Sequence, residues 1–462
     1  MALKLTKFFL YAAIFSVLIV SSTTLFPFIV GKDVFFRAVV DLALIFYLVH
    51  WGWEHNAKKK ISLKSEPFAK ALVKKNWLEA VKERPIFWAV VLFGLVFVIS
   101  GFFGINPALS FWSNFERGEG GFQMLHYLAF FILLTLVFRD KKSWRGLFIA
   151  SLFVAVGVLG YGVLAILKTP GFMGFGGNTL LSRVAGSLGN PDYTGTYLLF
   201  ALFYAAYLFV AERDLRKRIL LTLFGAFDLT FLYLTQTRGA EVGLIIGLFA
   251  MAAYLAFKLP GGNLKRGVSV ILLLMLLLGG GFIAFRQKIN VPGCGICNRM
   301  LHITISDPTF QTRFWAWGEA IRGWEARPVF GWGPENFSAV FDKYFNINYF
   351  VPGQDTETWF DRAHSVYFDY LAETGMVGLA AFLSMFGAFF WTLFRKKREK
   401  DAETRLIAGE TDNVWERALI LGIVTAYLIQ GIVLFDVLPI YINLFLVLAF
   451  ANNQLSEKGQ NG

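Results

Sequence analysis

Apolar residues run through this chain in stretches about as long as a bilayer crossing, broken by short polar segments. A bilayer core takes about 20 apolar residues per helical crossing. Such stretches fall at 8–30, 34–52, 86–103, 122–138, 146–167, 193–211, 219–236, 240–257, 267–285, 370–394, 416–434 and 437–451. They predict an all-α polytopic membrane protein with about twelve transmembrane helices. The first stretch is long for the core of a signal peptide and lacks a small-x-small cleavage site, so a retained helix is expected. The predicted organisation is nine helices over 1–285, a loop domain over 286–369, three helices over 370–451 and a polar tail over 452–462. No small-xxx-small interface stands out, so a monomer is expected.

Charge orders these helices. Lys58, Lys59, Lys60, Lys64, Lys70, Lys74, Lys75 and Lys82 follow the second stretch. Further clusters lie at 139–142, 213–218, 258–266 and 395–398, each after an even-numbered stretch. The intervening loops carry few cations: Lys32, Arg117, Lys168, Arg183 and Arg238. Positive loops stay on the cytoplasmic side. Both termini are therefore expected in the cytoplasm, with the odd-to-even loops outside.

Two segments exceed simple connectors. In the basic segment 56–84, Phe68, Leu72, Val73, Trp77, Leu78 and Val81 recur at helical spacing among lysines. That pattern predicts an amphipathic helix on an anionic leaflet, either fixing orientation or binding lipid. The other, 286–369, is the one long outward loop. Pro308 follows Ser306 and Asp307 as a helix start, and Phe314, Trp317, Ala320, Ile321 and Trp324 continue at helical spacing. Pro328 and Gly331-Trp332-Gly333-Pro334 end that helix, and 335–345 predicts a second, shorter one.

Composition removes several function classes. Apolar types make up 56% and charged residues 16% of the 462 residues, too little charge for an ordinary soluble enzyme. The net charge of +12 invites nucleic acid, but most of it lies in the loops that set orientation, so no nucleic-acid partner is expected. No phosphate-binding loop, dinucleotide fingerprint or zinc motif occurs, which leaves nucleotide hydrolysis and a structural zinc unsupported. Cys294 and Cys297 in the outward loop are expected to form a local disulfide in an oxidising compartment.

The remaining chemistry sits at the outer face. Arg183 precedes a Gly/Asn-Pro segment, Arg238 lies in Thr237-Arg238-Gly239, and Arg313 begins Arg313-Phe-Trp-Ala-Trp317. One arginine there snorkels to head groups or pairs with a local acid such as Glu241. Three on one face suit a shared anion, because guanidinium binds phosphate oxygens bidentately and keeps its charge in a low dielectric. Gly239 would let backbone N–H groups approach as well. His364 stands where the loop re-enters the membrane; it is a potential base, or a histidine held at a helix start. Asp361 and Glu373 are placed to orient it, and Asp361 equally to cap the helix.

Taken together, Thr237-Arg238-Gly239, Arg313 with Trp317, Gly331-Trp332-Gly333-Pro334-Glu335-Asn336-Phe337 and His364-Ser365 followed by Leu371 and Gly375 resemble the O-antigen ligase and O-antigen polymerase superfamily of bacterial membrane glycosyltransferases. The resemblance spans about 180–390. It implies a GT-C-like fold, a helical periplasmic loop over the site, and transfer of a glycan from undecaprenyl diphosphate to an acceptor hydroxyl, such as a lipid A core sugar. It implies neither cofactor nor metal. Arg238 and Arg313 would hold the diphosphate, Arg183 is a candidate for the same pocket, and His364 would be the activating base or the group that positions the acceptor; Gly239 and Asp361 are further candidate substrate-binding residues. The expected place is the bacterial inner membrane, with the site facing the periplasm. A polymerase, a protein O-oligosaccharyltransferase and a lipid-linked sugar transporter are the alternatives.

Overall fold

The computed structural model describes residues 1–58, 81–114, 116–173, 183–288, 308–350, 358–395 and 414–455. Its elements are α1 (Ala2–Phe15), α2 (Val30–Lys58), α3 (Pro85–Phe102), α4 (Pro107–Trp112), α5 (Gly121–Val137), α6 (Lys141–Ile166), α7 (Pro191–Ala211), α8 (Leu215–Thr235), α9 (Arg238–Lys258), α10 (Asn263–Phe285), α11 (Pro308–Ala326), α12 (Phe337–Tyr344), α13 (Val366–Phe394), α14 (Val414–Gln430) and α15 (Leu438–Leu455). No strand occurs among the described residues. The amphipathic stretch expected within 56–84 lies largely outside them, as do Cys294 and Cys297.

Nine helices among the described residues are long and apolar enough to cross a membrane: α2, α3, α6–α10, α13 and α15. The other three expected crossings fall on shorter helices: α1 with 14 residues, α5 with 17 and α14 with 17. The stretch 8–30 departs furthest from expectation. Its helix begins at Ala2 and stops at Phe15, and a 3₁₀ turn follows over Ser16–Leu18. Local polar groups then hold the chain in a turn: the Thr24 hydroxyl donates to Ser21 O at 2.9 Å, and Ser21 N–H to Pro27 O at 2.9 Å. The apolar residues from Val30 onward belong to α2.

Helix starts follow local chemistry. Pro85, Pro107 and Pro191 occupy first turns, where a missing N–H costs nothing. Asp140, Asn190 and Asp214 cap α6, α7 and α8 by accepting backbone N–H bonds. α15 is buried along its whole length and forms the centre of the bundle, whereas α10 is almost wholly exposed, as a helix facing lipid would be. Buried asparagines on α15 have partners: Asn453 Nδ2 donates to Thr135 O at 3.1 Å and Phe138 O at 2.9 Å, closing the end of α5.

Two backbone features place the site. The first is a seam of small residues between α9 and α14. A Cβ at Gly243 would stand 2.7 Å from the Ala426 carbonyl oxygen, and one at Gly247 would stand 2.5 Å from that of Gly422. A small-xxx-small pattern is therefore present, and it packs two helices of one chain where the sequence showed no such seam. Gly243→Leu is expected to cost about 1–3 kcal/mol by overpacking. It should lower the melting temperature of the purified protein, while Gly160→Ala, where a Cβ meets nothing within 4 Å, should not.

The second feature is a break in α13 at Gly375, whose φ of 67° and ψ of −168° suit only glycine. The freed groups pair with residues 328–333, at and before the Gly-Trp-Gly segment. Trp332 N–H donates to Ala372 O at 2.9 Å, Gly333 N–H to Glu373 O at 2.7 Å, and Met376 N–H to Pro328 O at 2.8 Å. This segment therefore ties the loop bearing α11 and α12 to the helix interior as well as ending α11.

Above it, Ala320, Trp332, Phe337, Val340, Phe341, Tyr349, Phe360, Ala363 and Ala372 form a separate small core. Trp317 stacks on Phe368 with centroids 5.0 Å apart, docking α11 on α13. Of the expected apolar stripe on α11, Ala320 is buried, while Phe314 and Ile321 stay partly exposed. The loop's two predicted helices are observed as α11 and α12.

Candidate functional site

Arg183, Arg238 and Arg313, far apart in sequence, line one cavity of about 220 Å³. Asp192, Gln236, Thr237, Gly239, Phe310 and Gln430 share its wall, and Val242, Ile429, Ile432 and Val433 give it an apolar side. Arg238 is brought there by the two-residue turn between α8 and α9, in which Gln236 takes a left-handed φ of 53°. Arg313 comes from the early turns of α11. α9 also directs its N-terminus here, with Arg238 as its first residue. Unpaired N–H groups and the positive end of the helix dipole favour an anion at such a terminus.

The three arginines are not equivalent. Arg183 forms an ion pair with Asp192 and donates through Nε to Thr235 O at 2.9 Å. Thr237 Oγ1 in turn donates to Pro191 O at 3.1 Å. Arg183 therefore fastens the turn carrying Arg238 to the start of α7, and Asp192 offsets its charge. Gly239 serves packing more than N–H access: a Cβ there would collide with Gln430 and Val433. Gln430 Nε2 donates to Thr196 Oγ1 at 2.9 Å, completing that wall.

His364 lies outside the cavity lining but close enough to Arg313 to feel its charge. It has a left-handed φ of 54°, uncommon outside glycine. Its Nδ1 faces Arg362 O at 3.2 Å. Phe360 and Phe435 meet its ring edge-on with centroids at 5.0 and 5.3 Å. Burial and then the Arg313 charge pull its pKa down to about 4, so the ring is neutral at pH 7.

The acids expected to orient His364 do something else. Asp361 binds Arg117 through two bonds, Nε–Oδ2 at 2.5 Å and Nη2–Oδ1 at 2.7 Å. Burial alone would raise the Asp361 carboxyl, but Arg117 overrides it and holds the group below its ordinary range. Asp361 thus lies apart from the cavity lining, and among the described residues it caps no helix. Glu373 accepts from Arg362 Nη1 at 2.9 and 3.1 Å. The acceptor that orients the imidazole is a backbone carbonyl, which no sequence pattern marks. Arg117, Glu335 and Arg362 were not singled out for the site. The sequence signals were Arg117, a cation in a loop expected outside, and Glu335 within the Gly-Trp-Gly-Pro-Glu motif.

Glu319 on α11 accepts Asn346 N–H at 2.9 Å and Tyr349 O–H at 3.1 Å, joining the loop's two halves. Burial pushes its carboxyl up to about 7. Its folded pKa therefore exceeds the unfolded value of about 4.3. Between those values the native state binds more protons, so this group's contribution to stability falls as pH rises and levels off above 7. Glu319→Gln is expected to melt higher than the parent at pH 8, with the difference closing at pH 5.

Apolar crossing helices and a cationic cavity beneath a helical loop define a multi-pass helical membrane protein with a built polar site. Residues 220–383 match the O-antigen ligase family model, whose members are membrane glycosyltransferase-like enzymes. The matched stretch includes Arg238, Arg313, the Gly-Trp-Gly segment and His364. A search of curated proteins finds no match.

Proposed function

We propose that this protein transfers a glycan from undecaprenyl diphosphate to an acceptor hydroxyl at the outer face of the bacterial inner membrane. The observation that carries this reading is the convergence of Arg183, Arg238 and Arg313 on one cavity, with His364 beside Arg313. In this reading the chain crosses the membrane about twelve times, both termini are cytoplasmic, and the loop bearing α11 and α12 lies in the periplasm.

Arg238, Arg313 and the α9 N-terminus hold the diphosphate. The apolar wall of Val242, Ile429, Ile432 and Val433 takes the first part of the polyprenyl chain. The acceptor oxygen attacks the anomeric carbon opposite the diphosphate, inverting it. The bond from that carbon to the diphosphate oxygen breaks, and its electron pair leaves with the diphosphate. The hydroxyl proton passes to His364 Nε2. Fixed guanidinium groups stabilise charge growing on the leaving oxygen without reorganising.

The test is reconstitution in detergent with a lipid-linked glycan. A glycosylated lipid A core acceptor supports the ligase assignment, and a lengthened carrier-linked glycan assigns a polymerase. Absence of transfer to any acceptor class, with intact donor binding, would sink the enzymatic reading.

A further inference from the structure

We propose that the buried triad Glu335–Arg362–Glu373 is a positioning device: it fixes the turn at His364 so that Nδ1 donates to the Arg362 carbonyl and Nε2 remains as the proton acceptor. This rests on the reading of His364 as the base.

The geometry begins with the break at Gly375. Pairing of Trp332 and Gly333 with Ala372 and Glu373 brings the Gly-Trp-Gly segment against the outer half of α13. That contact sets Glu335, two residues past Gly333, opposite Glu373. Arg362 enters between them. Its Nη1 donates to both Glu373 oxygens, and its Nη2 pairs with Glu335. Glu335 also accepts from Ser113 Oγ at 2.7 Å, and it too has a left-handed φ, of 67°. All three triad side chains are buried.

The backbone around His364 is pinned on both sides. Arg362 is held by the two carboxylates. Ala363 N–H donates to Asp369 Oδ1 at 2.6 Å. Val366 N–H donates to Gly431 O and Leu434 O, both at 2.9 Å. His364 is left as the one residue that bends between fixed neighbours, and its positive φ is the result. Because Arg362 cannot shift, neither can its carbonyl, and that carbonyl selects the ring nitrogen that carries the proton. Arg362 also lies over the Phe435 ring that meets His364, at 5.9 Å from the centroid.

A buried ion triad is a poor device for stability alone, since desolvation offsets much of its attraction. Apolar residues of similar size would hold the fold about as well. What they would not do is fix one carbonyl in direction. Stability and geometry therefore separate in experiment.

The test uses the full chain in detergent, labelled with ¹⁵N at histidine, with the His364 signal assigned by its loss in His364→Asn. The wild type is expected to show the Nδ1–H tautomer at neutral pH. In the apolar triple variant Glu335→Met, Arg362→Met, Glu373→Met the tautomers should mix. Its kcat should fall by about 10²-fold while KM stays within about two-fold, and its melting temperature should stay close to the parent's. A wild-type His364 protonated on Nε2 overturns the proposal. So does a folded triple variant that keeps both the Nδ1–H tautomer and its kcat. Should the triple variant fail to fold, Glu335→Gln alone must shift the same signals in the same direction, and no shift there overturns it. Failure of the base reading is distinct: His364→Asn would stay active while the wild-type tautomer was as proposed.

Discussion

His364→Ala is expected to lower glycan transfer by about 10²–10⁴-fold, the range of general-base assistance, with membrane insertion and donor binding retained. The backbone at this position calls for a control. Its φ of 54° disfavours alanine, so some loss could come from the turn alone. His364→Asn answers this, because asparagine tolerates that conformation but is no base at neutral pH. Both variants should be inactive; near wild-type transfer by the asparagine form would remove His364 from the chemistry. The pH profile tests the environment separately. In the donor-free enzyme, burial and the Arg313 charge hold the imidazole at about 4, so the acid limb of kcat/KM should lie well below the ordinary histidine value. A bound diphosphate offsets the Arg313 charge and makes protonation easier. The acid limb of kcat should therefore lie at higher pH than that of kcat/KM. Coincident limbs near 6.5 would mean that Arg313 and the diphosphate do not act on His364.

Sequence periodicity located most crossing helices because membrane burial imposes one strong rule: about 20 apolar residues per span. It failed at 8–30, where Ser21, Thr24 and Pro27 make a turn inside an apolar stretch too short to weigh against hydropathy. The three arginines were legible because a cation at an apolar helix end needs a reason, and the structure places all three on one cavity. Their division of labour was not legible. Asp192 beside Arg183 is a contact across a turn, and nothing in the spacing of the two sets their rotamers. The triad behind His364 was hidden for another reason. Glu335, Arg362 and Glu373 meet only because a glycine breaks α13 and a loop segment fills the gap. Such a pairing is a tertiary event: the sequence marks Glu335, Glu373 and the glycines at 331, 333 and 375, but not that Arg362 joins the two acids. The α9–α14 seam was missed although Gly239, Gly243 and Gly247 recur one helical turn apart, because spacing alone does not say which helix they pack against.

Arg238→Lys and Arg313→Lys are each expected to weaken binding of undecaprenyl diphosphate by about ten-fold, and the alanine forms by about 10–100-fold, from the loss of charge-assisted hydrogen bonds worth roughly 1.5–3 kcal/mol. Lysine keeps the charge but lacks the planar fork, so the lysine variants isolate bidentate geometry from simple attraction. If both arginines hold one diphosphate, the two losses should not add: a double-mutant cycle should show coupling, as it does for groups sharing a ligand. Arg183→Ala should behave differently. Its guanidinium is engaged by Asp192 and Thr235, so its removal frees a carboxylate at the cavity wall and loosens the α8–α9 turn. It should lower melting temperature as well as affinity, and Asp192→Asn in the same background should recover part of the affinity by removing the exposed negative charge. Direct titration of the carrier lipid into detergent-purified variants reads all of these. Lysine variants at 238 and 313 that bind as the wild type does would sink the bidentate assignment, and additive losses would place the two arginines on separate groups of the ligand.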